Sequence, residues 1–178
     1  MRLRFFADDG PDVEITPAYY QDTDDYDIPD PNGPGWIRSN PAVHLAYVNK
    51  AQQATDRRAK GVIRLVKTWR AFNHVPLSCF YLEMRTAQYA MTHTPIIYDW
   101  DIRDFFRSLA ASGLREMNDP TNYGRRISTG ATSMADSIAA KYAVEEAARL
   151  AALAREAAEG EDHAAAIRYH LQLFKLQP

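Results

Sequence analysis

The sequence predicts an α+β protein that is mostly α, with a short N-terminal antiparallel β-hairpin followed by a helical bundle lobe. Two observations support this fold class. Apolar and polar residues alternate within residues 2–7 and 12–18, as they do in half-buried strands. From Ser39 onward, apolar residues recur at the spacing of amphipathic helices. We therefore expect residues 1–38 to form the hairpin and a connecting loop, and residues 39–178 to form a helical C-terminal lobe.

The second strand carries acidic residues on one face. Residues 8–11, which contain Asp, Gly and Pro, favour a tight reversal between the two strands. Val13 and Ile15 then point to one side, and Asp12 and Glu14 to the other. Two carboxylates on one face can present metal ligands, but charges are also common on the solvated face of an edge strand. The pattern alone favours the solvated edge.

Residues 19–40 read as a long irregular connection rich in Asp, Pro, Gly and aromatic residues. Connections of this length are usually either functional or disordered. Tyr19, Tyr20, Tyr26 and Trp36 argue against disorder, because aromatic side chains normally pack against something. They could stack on a base, but packing onto the helices is the favoured interpretation.

The helical lobe has recognisable beginnings and ends. Ser39 or Asn40 can cap a helix with Pro41 in its first turn, and Ser133 and Asp136 resemble a capping box. The pattern predicts a polar loop over residues 117–130. The predicted helices span residues 41–72 with a break near Thr55, 76–92, Asp99 or Asp101 to Gly113, 133–158 and 162–174.

Composition excludes several classes of function. A net charge of −2 gives no general attraction to nucleic acid or to anionic membranes. One cysteine, Cys79, cannot form an intrachain disulfide or a multi-cysteine zinc site. No apolar run approaches the roughly 20 residues of a membrane span, and the N-terminal apolar stretch is too short for a signal peptide. We expect a cytoplasmic protein with no membrane partner.

Two groups of residues in the helical lobe could bind an anion. Lys60, Arg64 and Lys67 share one helix face, which is either a cationic ridge or an ordinary solvated face. Spacing alone favours the solvated face. Ser78 and Cys79 begin a helix, where free N–H groups favour anions. A helix cap and a small buried thiol explain these two residues equally well.

Six segments, taken in order, suggest a family. They are residues 13–18 (VEITPA), 26–30 (YDIPD), 36–41 (WIRSNP), 64–69 (RLVKTW), 77–83 (LSCFYLE) and 119–122 (DPTN). Together they resemble the C-terminal portion of bacterial nucleotidyltransferases related to cyclic GMP–AMP synthase and oligoadenylate synthase. That family makes nucleotide second messengers in antiphage defence. The resemblance covers nearly the whole chain.

The resemblance implies a reaction and roles for four residues. Residues 1–38 would be a remnant of the nucleotidyltransferase core, and the reaction a Mg²⁺-dependent nucleotidyl transfer from ATP or another nucleoside triphosphate. Glu14 would be the catalytic metal ligand, and Lys67, Ser78 and Cys79 would bind the triphosphate. The sequence departs from the family at Glu14, where the family usually has Asp, and at Cys79, where it has Ser.

A third departure concerns the residues before Glu14. The family's Gly-Ser loop and Asp-x-Asp pair are absent from residues 1–13. We therefore expect the chain to be catalytically inactive alone, and Mg²⁺ to bind only together with the missing lobe. The alternative is a non-catalytic helical interaction or nucleotide-binding module. An exposed apolar hairpin edge, formed by Leu3, Phe5, Val13 and Ile15, would favour self-association.

Overall fold

The computed structural model describes residues 2–3, 13–22, 24–30 and 33–176, and side chains from residue 15 onward within these ranges. The chain divides into two compact units, Met1–Leu45 and Ala46–Pro178. The first contains short antiparallel strands and the second is dominated by helices. The predicted fold class, α+β and mostly α, is confirmed.

The two N-terminal strands pair antiparallel as expected, but the predicted strand over residues 12–18 ends at Glu14, since residues 15–18 have no regular secondary structure. Strand β1 (Arg2–Leu3) lies antiparallel to β2 (Val13–Glu14), with Arg2 opposite Glu14 and Leu3 opposite Val13. The expected turn at residues 8–11, Phe5 and the side chains of Leu3 and Val13 lie outside the described part of the chain. Ile15 is described, and 44% of its surface is exposed.

Residues 19–40 contain a sheet where the sequence predicts an irregular connection. Strands β3 (Tyr19–Tyr20), β4 (Tyr26–Pro29) and β5 (Trp36–Ser39) form an antiparallel sheet in the order β3-β4-β5. Aromatic side chains contact one another across the strands: the ring centroids of Tyr19 and Trp36 are 4.8 Å apart, and those of Tyr20 and Tyr26 are 5.5 Å apart. Tyr19, Tyr20 and Trp36 nevertheless remain exposed. The prediction was wrong because strands of two to four residues are too short to show alternation.

The first two helices begin and end where the sequence signals indicate. Helix α1 spans Pro41–Ala54 and is capped by Asn40, whose Oδ1 accepts a hydrogen bond from the Val43 N–H at 2.9 Å. Helix α2 spans Ala59–Phe72. The predicted break near Thr55 is confirmed, because Asp56 and Arg57 have φ values of 48° and 65° and cannot continue a right-handed helix.

The remaining elements complete the second unit. Ser133 caps the longest helix, since its Oγ accepts a hydrogen bond from the Asp136 N–H at 3.0 Å. A short hairpin lies within the predicted polar loop. The elements are α3 (Cys79–Ala90), α4 (Tyr98–Ala111), β6 (Met117–Asn118), β7 (Arg126–Ile127), α5 (Met134–Glu159) and α6 (His163–Phe174).

The core lies between the helices of the second unit. Helix α2 packs on α3, α4 packs on α5, and α5 packs on α6. Trp69 from α2 and Phe106 from α4 are almost fully buried, with ring centroids 4.7 Å apart. None of the helices in the described residues is long and apolar enough to cross a membrane.

Candidate nucleotide-binding site

An ion pair joins α2 to α3. Lys67 Nζ on α2 donates a hydrogen bond to Glu83 Oε2 on α3 at 2.8 Å. The next turn of α2 contacts the residue that precedes the α3 cap, because Arg70 Nε donates to the Leu77 carbonyl at 2.6 Å. The two helices therefore run antiparallel, and Lys67 lies beside the first turns of α3.

The three cations of the predicted ridge do not act as one group. Lys60 Nζ donates to Asn49 Oδ1 on α1 at 2.8 Å, whereas Lys67 contacts Glu83 on α3. Lys60 and Lys67 are two turns apart, or about 10 Å along the helix axis. Arg64, between them, is exposed. Of these three cations Lys67 lies nearest the start of α3, and its role as a triphosphate ligand stays a prediction.

Ser78 and Cys79 occupy the helix start that the sequence predicts. Ser78 is the N-cap of α3, and its Oγ accepts a hydrogen bond from the Tyr81 N–H at 3.4 Å. Cys79 is the first residue of the helix and is partly buried. The cap interpretation of Ser78 therefore describes the nucleotide-free structure, and the role of both residues in binding a triphosphate stays a prediction.

Helix periodicity places the ion pair near this helix start. Glu83 follows Cys79 by four residues, so both lie on the same face of α3, about 6 Å apart along the axis. Lys67, held by Glu83, is therefore about one turn of α3 from the start of that helix. An ammonium group and a helix N-terminus both attract anions. That these two groups bind one phosphate ligand stays a prediction.

The loop after β7 holds the α3 start in place. The Ser78 N–H donates to the Thr129 carbonyl at 2.7 Å. A Cβ added to Gly130 would lie 2.8 Å from Ser78 Cβ, so the loop approaches as closely as a glycine allows. Sequence reasoning predicted a polar loop over residues 117–130 but missed its contact with the start of α3, and it did not single out Glu83. Both depend on which helix faces meet, although Glu83 does lie within the LSCFYLE segment.

Glu14, the candidate metal ligand, belongs to the first unit. Its backbone lies in β2 opposite Arg2, and its side chain is outside the described residues. Among the side chains that the structure describes, no group of three or more His, Cys, Asp or Glu residues could hold a metal ion. Mg²⁺ needs near-octahedral oxygen coordination, so the described residues do not form a magnesium site by themselves. The metal role of Glu14 stays a prediction.

A groove separate from this candidate site lies between α3 and α4. Its volume is about 330 Å³. Its apolar floor includes Tyr89, whose hydroxyl donates to the buried Asp101 Oδ1 at 2.9 Å. Burial is the main cause, and the hydrogen bond to Asp101 the second, of a Tyr89 pKa well above 10, so this tyrosine stays protonated. The groove is lined by Arg85, Gln88, Tyr89, Thr92, His93, Phe105, Ser108, Leu109 and Ser112.

Comparisons with known proteins identify the fold. Neither a protein-family model nor a curated protein sequence matches the chain. Two solved structures of CdnC from Escherichia coli MS115-1 match its fold. The structure with ATP has a TM-score of 0.72 at 18% identity, over 95% of this chain and 61% of CdnC. The complex with HORMA-deltaN has a TM-score of 0.75 at 19% identity, over 99% of this chain and 63% of CdnC.

The chain therefore shares its fold with CdnC, which is a bacterial cyclic GMP–AMP synthase-like nucleotidyltransferase. This confirms, for the fold, the resemblance that the sequence segments indicated. At identities of 18% and 19% the similarity establishes the fold and not the activity. The chain spans about three fifths of the length of CdnC, since the matches cover 61% and 63% of it.

Proposed function

We propose that these 178 residues bind the triphosphate of a nucleotide substrate within a second-messenger nucleotidyltransferase. The reaction is Mg²⁺-dependent nucleotidyl transfer from a nucleoside triphosphate to a ribose hydroxyl, with release of pyrophosphate. Its biological setting is antiphage signalling. The observation that carries the proposal is the match to CdnC over 95% of the chain, in a structure that contains ATP.

The charges of the α2–α3 pair support a phosphate ligand. Lys67 supplies a compact positive charge, which suits phosphate oxygens. The start of α3, with Ser78 as its cap and Cys79 as its first residue, supplies backbone N–H groups and the positive end of the helix dipole. Cys79 is a weak hydrogen-bond donor, so the backbone N–H groups contribute more than the thiol.

In the proposal Glu14 is one of several carboxylates that bind the metal ions. A two-metal site requires several carboxylates that converge on the attacking and leaving oxygens. Residues 1–13 contain neither a Gly-Ser loop nor an Asp-x-Asp pair. The proposal is therefore that this chain binds nucleotide but is catalytically incomplete as given.

Binding measurements on a charge-removal variant test the proposal. We expect the 178-residue chain to bind ATP or GTP with Mg²⁺, and Lys67→Met to weaken this binding about tenfold or more, because a charge-assisted hydrogen bond is lost. Lys141→Met, on the exposed surface of α5, is the matched control and should bind as wild type does. Isothermal titration calorimetry gives the affinities. Equal affinity of the Lys67→Met and wild-type chains would remove Lys67 from the site.

Two contacts favour a second candidate, a non-catalytic interaction module. Lys67 is neutralised by Glu83, and the Ser78 hydroxyl is used as a helix cap, so both groups already have protein partners. Such a lobe could keep the fold for contacts with a partner protein. The absence of saturable binding to ATP and GTP, with and without Mg²⁺, would favour this module over the nucleotidyltransferase.

A further inference from the structure

The Lys67–Glu83 pair places a negative charge beside the candidate phosphate site. The two charged atoms are 2.8 Å apart, and the side chains are 39% and 31% exposed. At this exposure the pair contributes little to folding stability. Stabilising the fold is therefore a minor effect of the Glu83 carboxylate. Its larger effect is the repulsion of an anion that approaches Lys67.

A phosphate group that reaches Lys67 must also approach Glu83. The ammonium attracts the anion and the carboxylate repels it, so the net field at the pair is small in the nucleotide-free chain. The repulsion grows with the charge of the ligand. A triphosphate without metal carries two more negative charges than its Mg²⁺ complex, and so it is repelled more strongly.

We propose that Glu83 is a specificity-determining residue that holds Lys67 in the free chain and discriminates against metal-free triphosphate in favour of the Mg²⁺-triphosphate complex. This inference rests on the proposed function, because it requires that the triphosphate contact Lys67. Glu83 acts through its charge and through its contact with Lys67. The chemical class of ligand that it selects is a nucleoside triphosphate whose charge is partly neutralised by a divalent cation.

The Glu83→Gln variant tests the role of the charge. Glutamine keeps the length of the side chain and can still accept a hydrogen bond from Lys67. We expect it to tighten the binding of ATP in EDTA about tenfold and the binding of ATP with Mg²⁺ about threefold or less, because the removed repulsion scales with ligand charge. Calorimetric titration with ATP, with and without Mg²⁺, measures both. Inorganic triphosphate in EDTA should show the same tightening as ATP.

Two further variants separate this effect from a general change of protein charge. Glu146→Gln removes the same charge from an ion pair on α5, where Glu146 lies 2.6 Å from Arg149, and should bind as wild type does. Glu83→Asp keeps the negative charge and should keep the wild-type preference for the Mg²⁺ complex. If Glu83→Asp instead behaves like Glu83→Gln, charge is not the cause and the inference fails.

The outcomes distinguish this inference from the proposed function. If wild type binds ATP and Lys67→Met does not, but Glu83→Gln binds metal-free ATP no more tightly than wild type, the role of Glu83 is overturned and the proposed function stands. Weaker binding by Glu83→Gln would show instead that Glu83 only positions Lys67. If wild type binds no triphosphate under either condition, the proposed function itself fails, and the inference fails with it.

Discussion

Gly130 has a backbone conformation and a neighbour that together exclude a side chain. Its φ is +83°, and an added Cβ would lie 2.8 Å from Ser78 Cβ and 3.0 Å from the Ser78 nitrogen. The adjacent Thr129 carbonyl accepts the Ser78 N–H hydrogen bond at 2.7 Å. The glycine thus lets this loop approach the start of α3 and fix the residue that caps it.

We expect Gly130→Ala to lower the free energy of unfolding by about 2–3 kcal/mol, because it adds a left-handed backbone penalty to a collision with backbone atoms. Gly124→Ala is the matched control, since Gly124 has a φ of +67° and no atom within 4 Å of an added Cβ. It should cost only the backbone penalty, about 1 kcal/mol. Urea denaturation measures both values. Equal losses would show that the Ser78 contact relaxes without cost.

Between elements, a buried hydrogen bond joins α3 to α4. The Tyr89 hydroxyl donates to Asp101 Oδ1 at 2.9 Å, and the other Asp101 oxygen accepts the Ile97 N–H at 2.6 Å. Burial of the ring and the nearby carboxylate raise the pKa of Tyr89 above its ordinary value of 10. At alkaline pH the unfolded chain releases this proton while the folded chain retains it.

The contribution of Tyr89 to stability is therefore complete below about pH 10 and is lost as pH rises above that value. We expect Tyr89→Phe to cost about 1 kcal/mol at neutral pH, because Asp101 loses a hydrogen bond, and to reduce the fall in stability at alkaline pH. Tyr142→Phe is the control, because Tyr142 is 70% exposed on α5. Urea denaturation at several pH values measures the slopes. An alkaline slope as steep as that of wild type would contradict the role of Tyr89.

The helices could be predicted from the sequence, whereas the short strands could not. Ser133 and Asn40 were identified as candidate caps from their residue types, and both accept the expected hydrogen bonds. Strands β3, β4 and β5 have only two to four residues, and their pairing depends on reversals such as the one at Gly35, where φ is +124°. Strands this short contain too few residues for an alternation of apolar and polar side chains to be detected.

Part of the candidate site could be predicted from the sequence, namely the residues whose positions are set within a single helix. Lys67, Ser78 and Cys79 were selected from a family resemblance, and their positions on α2 and at the start of α3 follow from helical periodicity. Glu83 and Gly130 could not be selected in this way. The contact of Glu83 with Lys67 depends on how two helices pack. The contact of Gly130 with Ser78 joins residues that are far apart in the sequence, so it depends on the tertiary structure.

For the whole molecule, the residues that share the fold of CdnC must be distinguished from the residues that nucleotidyl transfer needs. The match to CdnC extends over 95–99% of this chain, so nearly all of it belongs to the shared fold. Nucleotidyl transfer requires in addition metal ions held between several carboxylates. No such cluster occurs among the described side chains, and the sequence before Glu14 contains no Asp-x-Asp pair. The proposed binding and the proposed reaction can therefore be tested separately on these 178 residues.

We expect the purified 178-residue chain, incubated with Mg²⁺ and the four ribonucleoside triphosphates, to bind nucleotide without forming linear or cyclic products. Under the proposed function Lys67 and the start of α3 hold the triphosphate, whereas the described side chains contain no cluster of three or more His, Cys, Asp or Glu residues that could hold a metal ion to activate the attacking hydroxyl. Chromatography of the reaction mixture detects products, and a thermal shift with nucleotide reports binding in the same sample. Lys67→Met should lose the thermal shift, which confirms that the binding occurs at the α2–α3 site. Release of pyrophosphate together with an oligonucleotide product by wild type would overturn the proposal that the chain is catalytically incomplete.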